Sequence, residues 1–390
     1  MADGVRFNRR GLLEGATVLG LGGLVGEIAQ AAKPSGQQPR SSEPGASAKA
    51  GLTVRDVYDK AREALHPTCR VCPQCDGIAC AGEYPAIGGI GSGASFQNNY
   101  TALHRVKLNL RSLTDATRAD ASVTIFGKRL SFPAMAAPMG FPATQFGKGV
   151  PQDVFFDAII GGCADAGTVG AIGDTPRLSL EGMKSRLDII RRHAGNFVYC
   201  IKPIPNVTIL KLMPMIEASG PFVLAIDTDS AGRYAPATPD LMLETKSVAK
   251  LRELVRAIKI PLVVKGVMTP DEALKAGEAG AAGIVVSNHG GRVLDHTPGT
   301  AEVLPAIADK VKGKMVILTD GCVRYGNDVL KYLALGADAV MIGRHLLRAA
   351  YGAGREGVTL FMNTMRDEFE RAMLLTGVAS VCQIRRHILT

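Results

Sequence analysis

Eight short apolar runs alternate with helix-like segments from residue 132 to the C-terminus. Each run is brief and rich in β-branched or small residues, which is typical of strands buried on both faces. Eight such strand–helix units predict an α/β fold, a TIM (β/α)8 barrel, better than an open doubly wound sheet. The predicted strands are residues 132–138, 168–172, 197–201, 222–226, 261–264, 283–286, 315–318 and 338–342. The clearest predicted helices are residues 154–166, 248–258, 271–280, 301–311, 327–336 and 358–375.

Polar residues follow the later runs at the points where the predicted strands end. Asp227 follows the fourth run, Lys265 the fifth, and Asp320 the seventh. Barrel enzymes build their active sites at the C-terminal ends of the strands. Ordinary loop residues would not recur so regularly, so this end of the barrel is the predicted site.

The run Ser287-Asn288-His289-Gly290-Gly291-Arg292 follows the sixth predicted strand. The glycines let the backbone approach a flat ligand closely. His289 changes protonation near neutrality, and Arg292 binds anions through paired donors. This pair suits proton abstraction from a carboxylate-bearing substrate. The alternative is a glycine turn with two satisfied polar side chains.

The loops after the seventh and eighth strands predict a phosphate site. The residues Asp320-Gly321-Cys322-Val323-Arg324 and Gly343-Arg344 supply glycine amides and two arginines. This is the usual phosphate-binding corner of a TIM barrel. The barrel is therefore predicted to hold a phosphorylated cofactor, with Lys265 projecting toward its ring.

The first fifty residues are predicted to lie outside the fold. Arg9 and Arg10 precede a short glycine-rich apolar stretch, and Ala29-Gln30-Ala31 offers a cleavage site. Residues 1–31 thus resemble a Tat export signal, which predicts a periplasmic or exported protein. A disordered basic tail on a cytoplasmic protein is the alternative. Residues 32–50 form a linker too poor in apolar residues to fold.

The remaining chain divides into two predicted parts, a loop-rich and helical N-terminal cap over residues 51–130 and the barrel over residues 131–390. The net charge of +9 is spread along the chain. Because the charge forms no basic block with interleaved aromatic residues, it favours anionic small molecules and not nucleic acid.

Four of the eight cysteines fall within the cap: Cys69, Cys72, Cys75 and Cys80. Their spacing is close to that of ferredoxin-type iron–sulfur ligands. Zinc bound by four thiolates is a second interpretation, and two disulfides in an exported protein are a third. The two-residue spacings favour a metal over disulfides, because neighbouring thiols converge easily on one ion.

These motifs resemble those of a known family, the FMN-dependent α-hydroxy-acid oxidases and dehydrogenases, which include glycolate oxidase and lactate oxidase. The resemblance is strong over residues 255–390, looser over 95–254 and absent before about residue 50. It is carried by Val264-Lys265-Gly266, the run from Ser287 to Arg292, Asp320-Gly321-Cys322-Val323-Arg324 and Ile342-Gly343-Arg344.

The resemblance implies a role for each catalytic residue in oxidising a 2-hydroxy acid to a 2-oxo acid. His289 would take a proton while the α-carbon passes a hydride equivalent to flavin N5. Arg292 would bind the substrate carboxylate, and Asp227 would stabilise the imidazolium of His289. Lys265 would stabilise negative charge near flavin N1 and O2.

The resemblance also implies the FMN contacts. A backbone segment would lie along the isoalloxazine, Asp320 would reach the ribityl chain, and three residues would bind the phosphate. Ser287 and Gly321 complete the predicted cofactor contacts. The backbone segment is Ala136, Ala137, Pro138 and Met139, and the phosphate contacts are Arg324, Gly343 and Arg344.

This sequence departs from the family's pattern at several positions on the substrate side of the site. The family's Tyr-Tyr-x-Ser-Gly-Ala stretch reads Gly-Ile-Gly-Ser-Gly-Ala at residues 89–94, so its tyrosine is missing. Phe197 replaces a flavin-contacting glutamine, and Ala225 replaces a threonine. Tyr199 is kept as an implied catalytic and substrate-binding residue. Arg233 is the approximate counterpart of a second substrate arginine.

Two other functions remain open at this stage. One is an FMN barrel oxidoreductase or isomerase with a different substrate, which passes electrons through a cysteine-ligated cluster to an acceptor protein or a quinone. The other is a non-catalytic flavin- or metal-binding protein, against which His289 and Asp227 together argue. The resemblance further implies a homotetramer.

Overall fold

The computed structural model describes residues 51–140, 150–174, 179–232 and 241–390. Eight parallel strands form one sheet, and each coincides with a predicted apolar run, which confirms the barrel. The strands are β1 (Ala134–Ala136), β2 (Gly170–Gly173), β3 (Phe197–Ile201), β4 (Val223–Asp227), β5 (Leu262–Val267), β6 (Gly283–Val286), β7 (Val316–Thr319) and β8 (Ala339–Ile342).

The sheet curls into a nearly closed barrel. Its hydrogen-bonded order is β1-β8-β7-β6-β5-β4-β3-β2. The two end strands meet just beyond their ladders, where Met139 and Ile172 form a parallel bridge and Ala136 N donates to Val169 O at 3.0 Å. Because all eight strands run in parallel, their C-terminal ends open on one face.

Eleven helical segments in the described residues surround or cap the strands. Polar residues begin several of them: the side chains of Thr53, Ser179, Ser247 and Thr269 each accept a backbone N–H of the first turn. The segments are α1 (Val54–Leu65), α2 (Ala94–Arg105), α3 (Gln152–Phe156), α4 (Gly162–Asp165), α5 (Leu180–Ile190), α6 (Asn206–Ser219), α7 (Val248–Ala257), α8 (Pro270–Glu278), α9 (Thr300–Val311), α10 (Gly326–Leu335) and α11 (Arg344–Leu375).

The C-terminal helix is longer than the predicted residues 358–375. It begins at Arg344, directly after β8, and is kinked at Ala353 and Gly354, where φ is −155° and +56°. The apolar spacing in the sequence indicates only the part after this kink. Because α11 begins directly after β8, its first turn lies at the open face of the barrel.

The cap is built from α1, α2, the segment between them that carries the four cysteines, and a hairpin of Val123–Ile125 and Lys128–Leu130. The predicted export signal and linker lie outside the described residues, and so does Arg233. Among the described helices, none is both long and apolar enough to cross a membrane.

The cap meets the barrel where α1 packs against α11. The two backbones approach so closely that a Cβ added at Gly352 would lie 2.0 Å from the carbonyl oxygen of Val57. Val57 is 1% exposed, so the contact is inside the core. Only glycine fits at position 352 without moving one helix.

Gly352→Ala is therefore expected to lower the free energy of unfolding by about 1–3 kcal/mol, because overpacking outweighs the better helix propensity of alanine. Urea unfolding followed by circular dichroism measures the change. Gly51→Ala, where no atom lies within 4 Å of the added Cβ, is the matched control. Equal stability of the two variants would contradict the close approach.

Candidate active site

A cavity opens at the C-terminal ends of the strands and receives a residue from almost every strand. Each of the predicted residues Asp227, Lys265, His289, Arg292 and Asp320 lies on its wall. The other lining residues include Ala137, Pro138, Met139, Gly173, Asp174, Cys200, Lys202, Gly321, Gly343 and Arg344. The structure therefore brings together residues that the sequence predicted at the ends of four separate strands.

The buried carboxylate of Asp227 is the centre of this cavity. One of its oxygens accepts from Lys202 Nζ at 2.5 Å and from Ser230 Oγ at 2.8 Å. The other accepts from Lys265 Nζ at 2.9 Å and lies 3.4 Å from His289 Nδ1. Asp227, Lys202 and Lys265 are only 3%, 7% and 4% exposed, so these charges interact with little screening by water.

The charged forms of Asp227 and Lys265 are strongly favoured in this cluster. Burial alone would raise the pKa of Asp227, but the attraction of His289, Lys202 and Lys265 holds that pKa well below its usual 3.8. Burial acts against the ammonium of Lys265, but Asp227, Asp229 and Asp320 outweigh it and raise that pKa. The depressed pKa of Asp227 stabilises the fold above the unfolded-state pKa of about 3.9, and this contribution is lost as the pH falls below it.

His289 has one ring nitrogen fixed by carboxylates. Its Nδ1 lies 3.0 Å from Asp229 Oδ1 and 3.4 Å from Asp227 Oδ1. Lys265 Nζ also lies 3.4 Å from this atom. Because carboxylates only accept hydrogen bonds and the contact with Asp229 is the shortest of the three, we assign the proton to Nδ1. Nε2 is then the atom that can take a proton. Asp229 supplies the shorter of the two carboxylate contacts, a role the sequence analysis assigned to Asp227 alone.

The backbone at His289 is held in an unusual conformation. Its φ is +57°, and the two following glycines also have positive φ. Ser287 Oγ accepts from His289 N at 3.1 Å and donates to Asp320 at 2.7 Å. Asn288 accepts from Gly291 N and from Asn99 of α2. These contacts fix the strained turn, and with it the imidazole.

Two arginines reach the cavity from either side of this turn. Arg292 donates to the carbonyl of Pro85 at 3.2 Å, which ties it to the cap. Arg344 donates to the carbonyls of Ile87 and Gly290, at 2.7 and 2.9 Å, and stacks over the ring of Phe96. Both guanidinium groups are thereby oriented at the cavity wall.

Several features suit the predicted phosphorylated cofactor. Asp320 Oδ1 is buried with no hydrogen-bond partner among the described residues, so it can accept a hydroxyl group. Gly343 caps α11 without any side-chain hydrogen bond, which leaves the positive end of the helix open toward the cavity. Lys265 and Pro138 complete a wall that a flavin ring could lie against.

The structure places two predicted site residues away from the cavity. Tyr199 is fully buried and donates its hydroxyl to Asp174 at 2.7 Å, and Asp174 in turn pairs with Arg186 at 2.7 Å. It is Asp174, not Tyr199, that lines the cavity. Tyr199 thus supports a wall residue and does not itself line the cavity, and its contact with substrate stays a prediction.

Arg324 is the second of these residues. Its guanidinium donates to the carbonyl of Pro73 and lies 5.0 Å from the ring of Tyr325, outside the cavity. The predicted phosphate arginine therefore holds the cysteine segment instead. Ala136, a predicted flavin contact, is fully buried within β1, whereas the next three residues line the cavity.

Lys202, Asp229 and Asp174 are site residues that the sequence analysis missed. Lys202 directly follows β3, and Asp174 directly follows β2, so both obey the rule that polar residues at strand ends build the site. Asp229 lies two residues beyond Asp227. A polar residue directly after a predicted strand is the sequence signal that identifies Lys202 and Asp174.

The cysteine segment lies beside the cavity. Cys75 lines it, and Arg348 of α11 donates to the sulfurs of Cys75 at 3.2 Å and Cys69 at 3.5 Å. Burial raises the pKa of Cys80 to about 11, and the neighbouring Cys75, Cys69 and Cys72 act in the same direction. All four cysteines are free thiols in this structure.

Comparison with known proteins identifies the family. A model of the FMN-dependent dehydrogenases matches residues 83–234 and 227–390. A peroxisomal (S)-2-hydroxyacid oxidase of Arabidopsis thaliana is 30% identical over 341 residues, which cover 78% of this chain and 90% of the relative. A 4-hydroxymandelate oxidase of Amycolatopsis orientalis is 32% identical over 339 residues, with coverage of 77% and 90%.

Solved structures agree with this result. A crystal structure of mandelate oxidase with benzoyl-formic acid superimposes with a TM-score of 0.70 and 28% identity over 87% of this chain and 98% of the other. The chain belongs to the FMN-dependent dehydrogenase family. It is an FMN-dependent oxidoreductase.

Lys202→Met is expected to lower the free energy of unfolding by about 3 kcal/mol, because it leaves the buried Asp227 with one ammonium fewer. Urea unfolding at pH 7 measures this loss. Adding Asp227→Asn to Lys202→Met should recover part of it. Lys275→Met is the matched control, since Lys275 pairs with Asp271 at the surface and should contribute less than about 0.5 kcal/mol. Similar effects of the two lysine substitutions would count against the charge cluster.

Proposed function

We propose that this enzyme oxidises a 2-hydroxy acid to the 2-oxo acid, with His289 as the general base. The observation that carries the proposal is the fixed imidazole, whose Nδ1 lies 3.0 Å from Asp229 and 3.4 Å from Asp227. Nε2 takes the proton of the substrate hydroxyl group. The two carboxylates then stabilise the imidazolium, which lowers the barrier to proton transfer.

FMN, when bound, supplies N5 as the acceptor of the hydride equivalent that leaves the substrate α-carbon. Lys265 carries its charge at the cavity wall, where it would stabilise negative charge on the bound flavin. Asp227 keeps that ammonium fixed at 2.9 Å, so the charge needs no reorganisation during the reaction. Lys202 contacts the other oxygen of Asp227 at 2.5 Å, so two ammonium groups share one carboxylate.

Arg292 binds the substrate carboxylate in this proposal. It lies three residues from His289 and on the same cavity wall, so one 2-hydroxy acid can contact both side chains. A planar guanidinium binds a carboxylate through two parallel hydrogen bonds, which orients the α-carbon. The names of the relatives, 2-hydroxyacid oxidase and 4-hydroxymandelate oxidase, support this substrate class.

The cellular setting is part of the proposal. The twin-arginine stretch at Arg9 and Arg10 supports export of the enzyme, and a homotetramer is proposed from the family resemblance. The cysteine segment beside the cavity supports an acceptor other than oxygen, such as a protein or a quinone.

His289→Gln is expected to retain FMN but to lose reduction of the flavin by substrate by at least a thousandfold, because the base is removed. Anaerobic stopped-flow absorbance with glycolate, lactate and mandelate measures this rate. His296→Gln is the control, since His296 is exposed and close in the chain. A His289→Gln enzyme that reduces its flavin at the wild-type rate would exclude His289 as the base.

Arg292→Met is expected to lower kcat/KM for the best hydroxy acid about 100-fold, which corresponds to about 2.7 kcal/mol. The methyl ester of that acid should be affected much less, because it carries no carboxylate. Arg55→Met, at a side chain that is 91% exposed, should leave both values unchanged. Equal losses for acid and ester would place Arg292 elsewhere in the mechanism.

A further inference from the structure

Arg348 is a buried cation with an incomplete set of partners. It lies on α11 and is only 2% exposed. One nitrogen, Nη2, donates to the sulfurs of Cys69 and Cys75. The other two, Nε and Nη1, have no hydrogen-bond partner among the described residues, and no carboxylate there pairs with the group. A guanidinium buried in this way requires a nearby anion.

The cysteines are the groups placed to supply that anion. Cys69 and Cys75 contact Arg348 directly, and Cys72 and Cys80 lie in the same short segment of the cap. Neutral thiols and disulfides carry no charge, so neither would balance the guanidinium. Thiolates bound to a metal centre would, because ligation keeps thiols deprotonated.

The spacing of the sulfurs distinguishes the possible metal centres. In a tetrahedral zinc site with Zn–S bonds of about 2.3 Å, the four sulfurs lie about 3.8 Å apart. Within the described part of the chain, the only group of three or more ligand atoms within 4.8 Å of one another is Asp227, Asp229 and His289. No three of the cysteine sulfurs therefore lie within 4.8 Å of one another. A mononuclear zinc site requires that closeness, whereas a cluster of several metal ions holds its thiolates farther apart.

We propose that Cys69, Cys72, Cys75 and Cys80 bind an iron–sulfur cluster whose negative charge is balanced by Arg348. The sequence supports it with two consecutive two-residue spacings, as in ferredoxin-type ligand sets. Arg348 would donate to cluster or cysteine sulfurs through the nitrogens that are now without partners. Such hydrogen bonds and charges tune the potential of a cluster.

The segment is held in place by other arginines. Arg324 donates to the carbonyl of Pro73, and Arg62 donates to the carbonyl of Val71 at 3.2 Å. Arg70 forms two hydrogen bonds with Glu83, at 2.8 and 2.9 Å. These contacts fix the backbone on both sides of Cys72. The proposed site thus has a preformed frame, and Cys75 places it at the edge of the flavin cavity.

The first test is the metal content of the full-length protein, purified without oxygen and treated with ferrous iron and sulfide. We expect about four iron and four sulfide per chain, and an electron paramagnetic resonance signal after reduction with dithionite. Cys72→Ser should lower the iron content at least tenfold while FMN is retained. Cys382→Ser, at an exposed cysteine outside the segment, should keep the iron.

Other outcomes overturn the proposal. One zinc per chain without iron would replace the cluster by a mononuclear site. Two disulfides, found by thiol titration of the denatured protein, would remove the metal altogether, as would a protein that binds no iron. These readouts do not depend on any hydroxy acid, so the cluster and the proposed oxidation can fail separately.

The second test concerns Arg348 as a positioning residue. Arg348→Met should make the cluster at least tenfold harder to reduce at a fixed potential, which is about 59 mV for one electron. Arg348→Lys, which keeps the charge, should restore most of this shift. A potential that is equal in wild type and Arg348→Met would show that the guanidinium does not act on the cluster.

Discussion

The site depends on one interaction, the burial of the Asp227 carboxylate against two ammonium groups and an imidazole. Lys202 and Lys265 lie 2.5 and 2.9 Å from its two oxygens, and each comes from a different strand end. Because an unpaired charge is costly at this depth, the strands must bring all of these groups together. The same carboxylate lies 3.4 Å from His289, so the interaction that holds the barrel mouth also orients the proposed base.

The sequence was sufficient for the barrel and for half of the site. Eight apolar runs predicted all eight strands, because buried parallel strands leave a clear signal in composition. His289 and Arg292 were found from a local motif. Lys202 was missed although it directly follows a predicted strand, and Asp229 was missed because its contact with His289 joins residues that are distant in the chain. Tyr199 does not line the cavity. Its chain neighbours Cys200 and Lys202 do, and only the fold shows which of these side chains face it.

Arg324 contacts the cysteine segment and not the predicted phosphate site. Its place in the chain predicts a phosphate contact, but its guanidinium holds Pro73 of the cysteine segment. Arg348 reaches the same segment from α11. Two arginines next to the flavin cavity thus contact the cysteine segment, whereas Arg344 and the open N-terminus of α11 lie at the cavity wall. These contacts are the observations on which the proposed cluster rests.

The most direct test of the proposed oxidation is the rate of flavin reduction by a 2-hydroxy acid deuterated at the α-carbon. Measured without oxygen, the FMN absorbance should bleach on mixing with the best acid, and deuterium should slow the bleaching several-fold. This result would show that the α-carbon–hydrogen bond breaks as the flavin is reduced. A bound flavin that no glycolate, lactate or mandelate reduces would contradict the proposal.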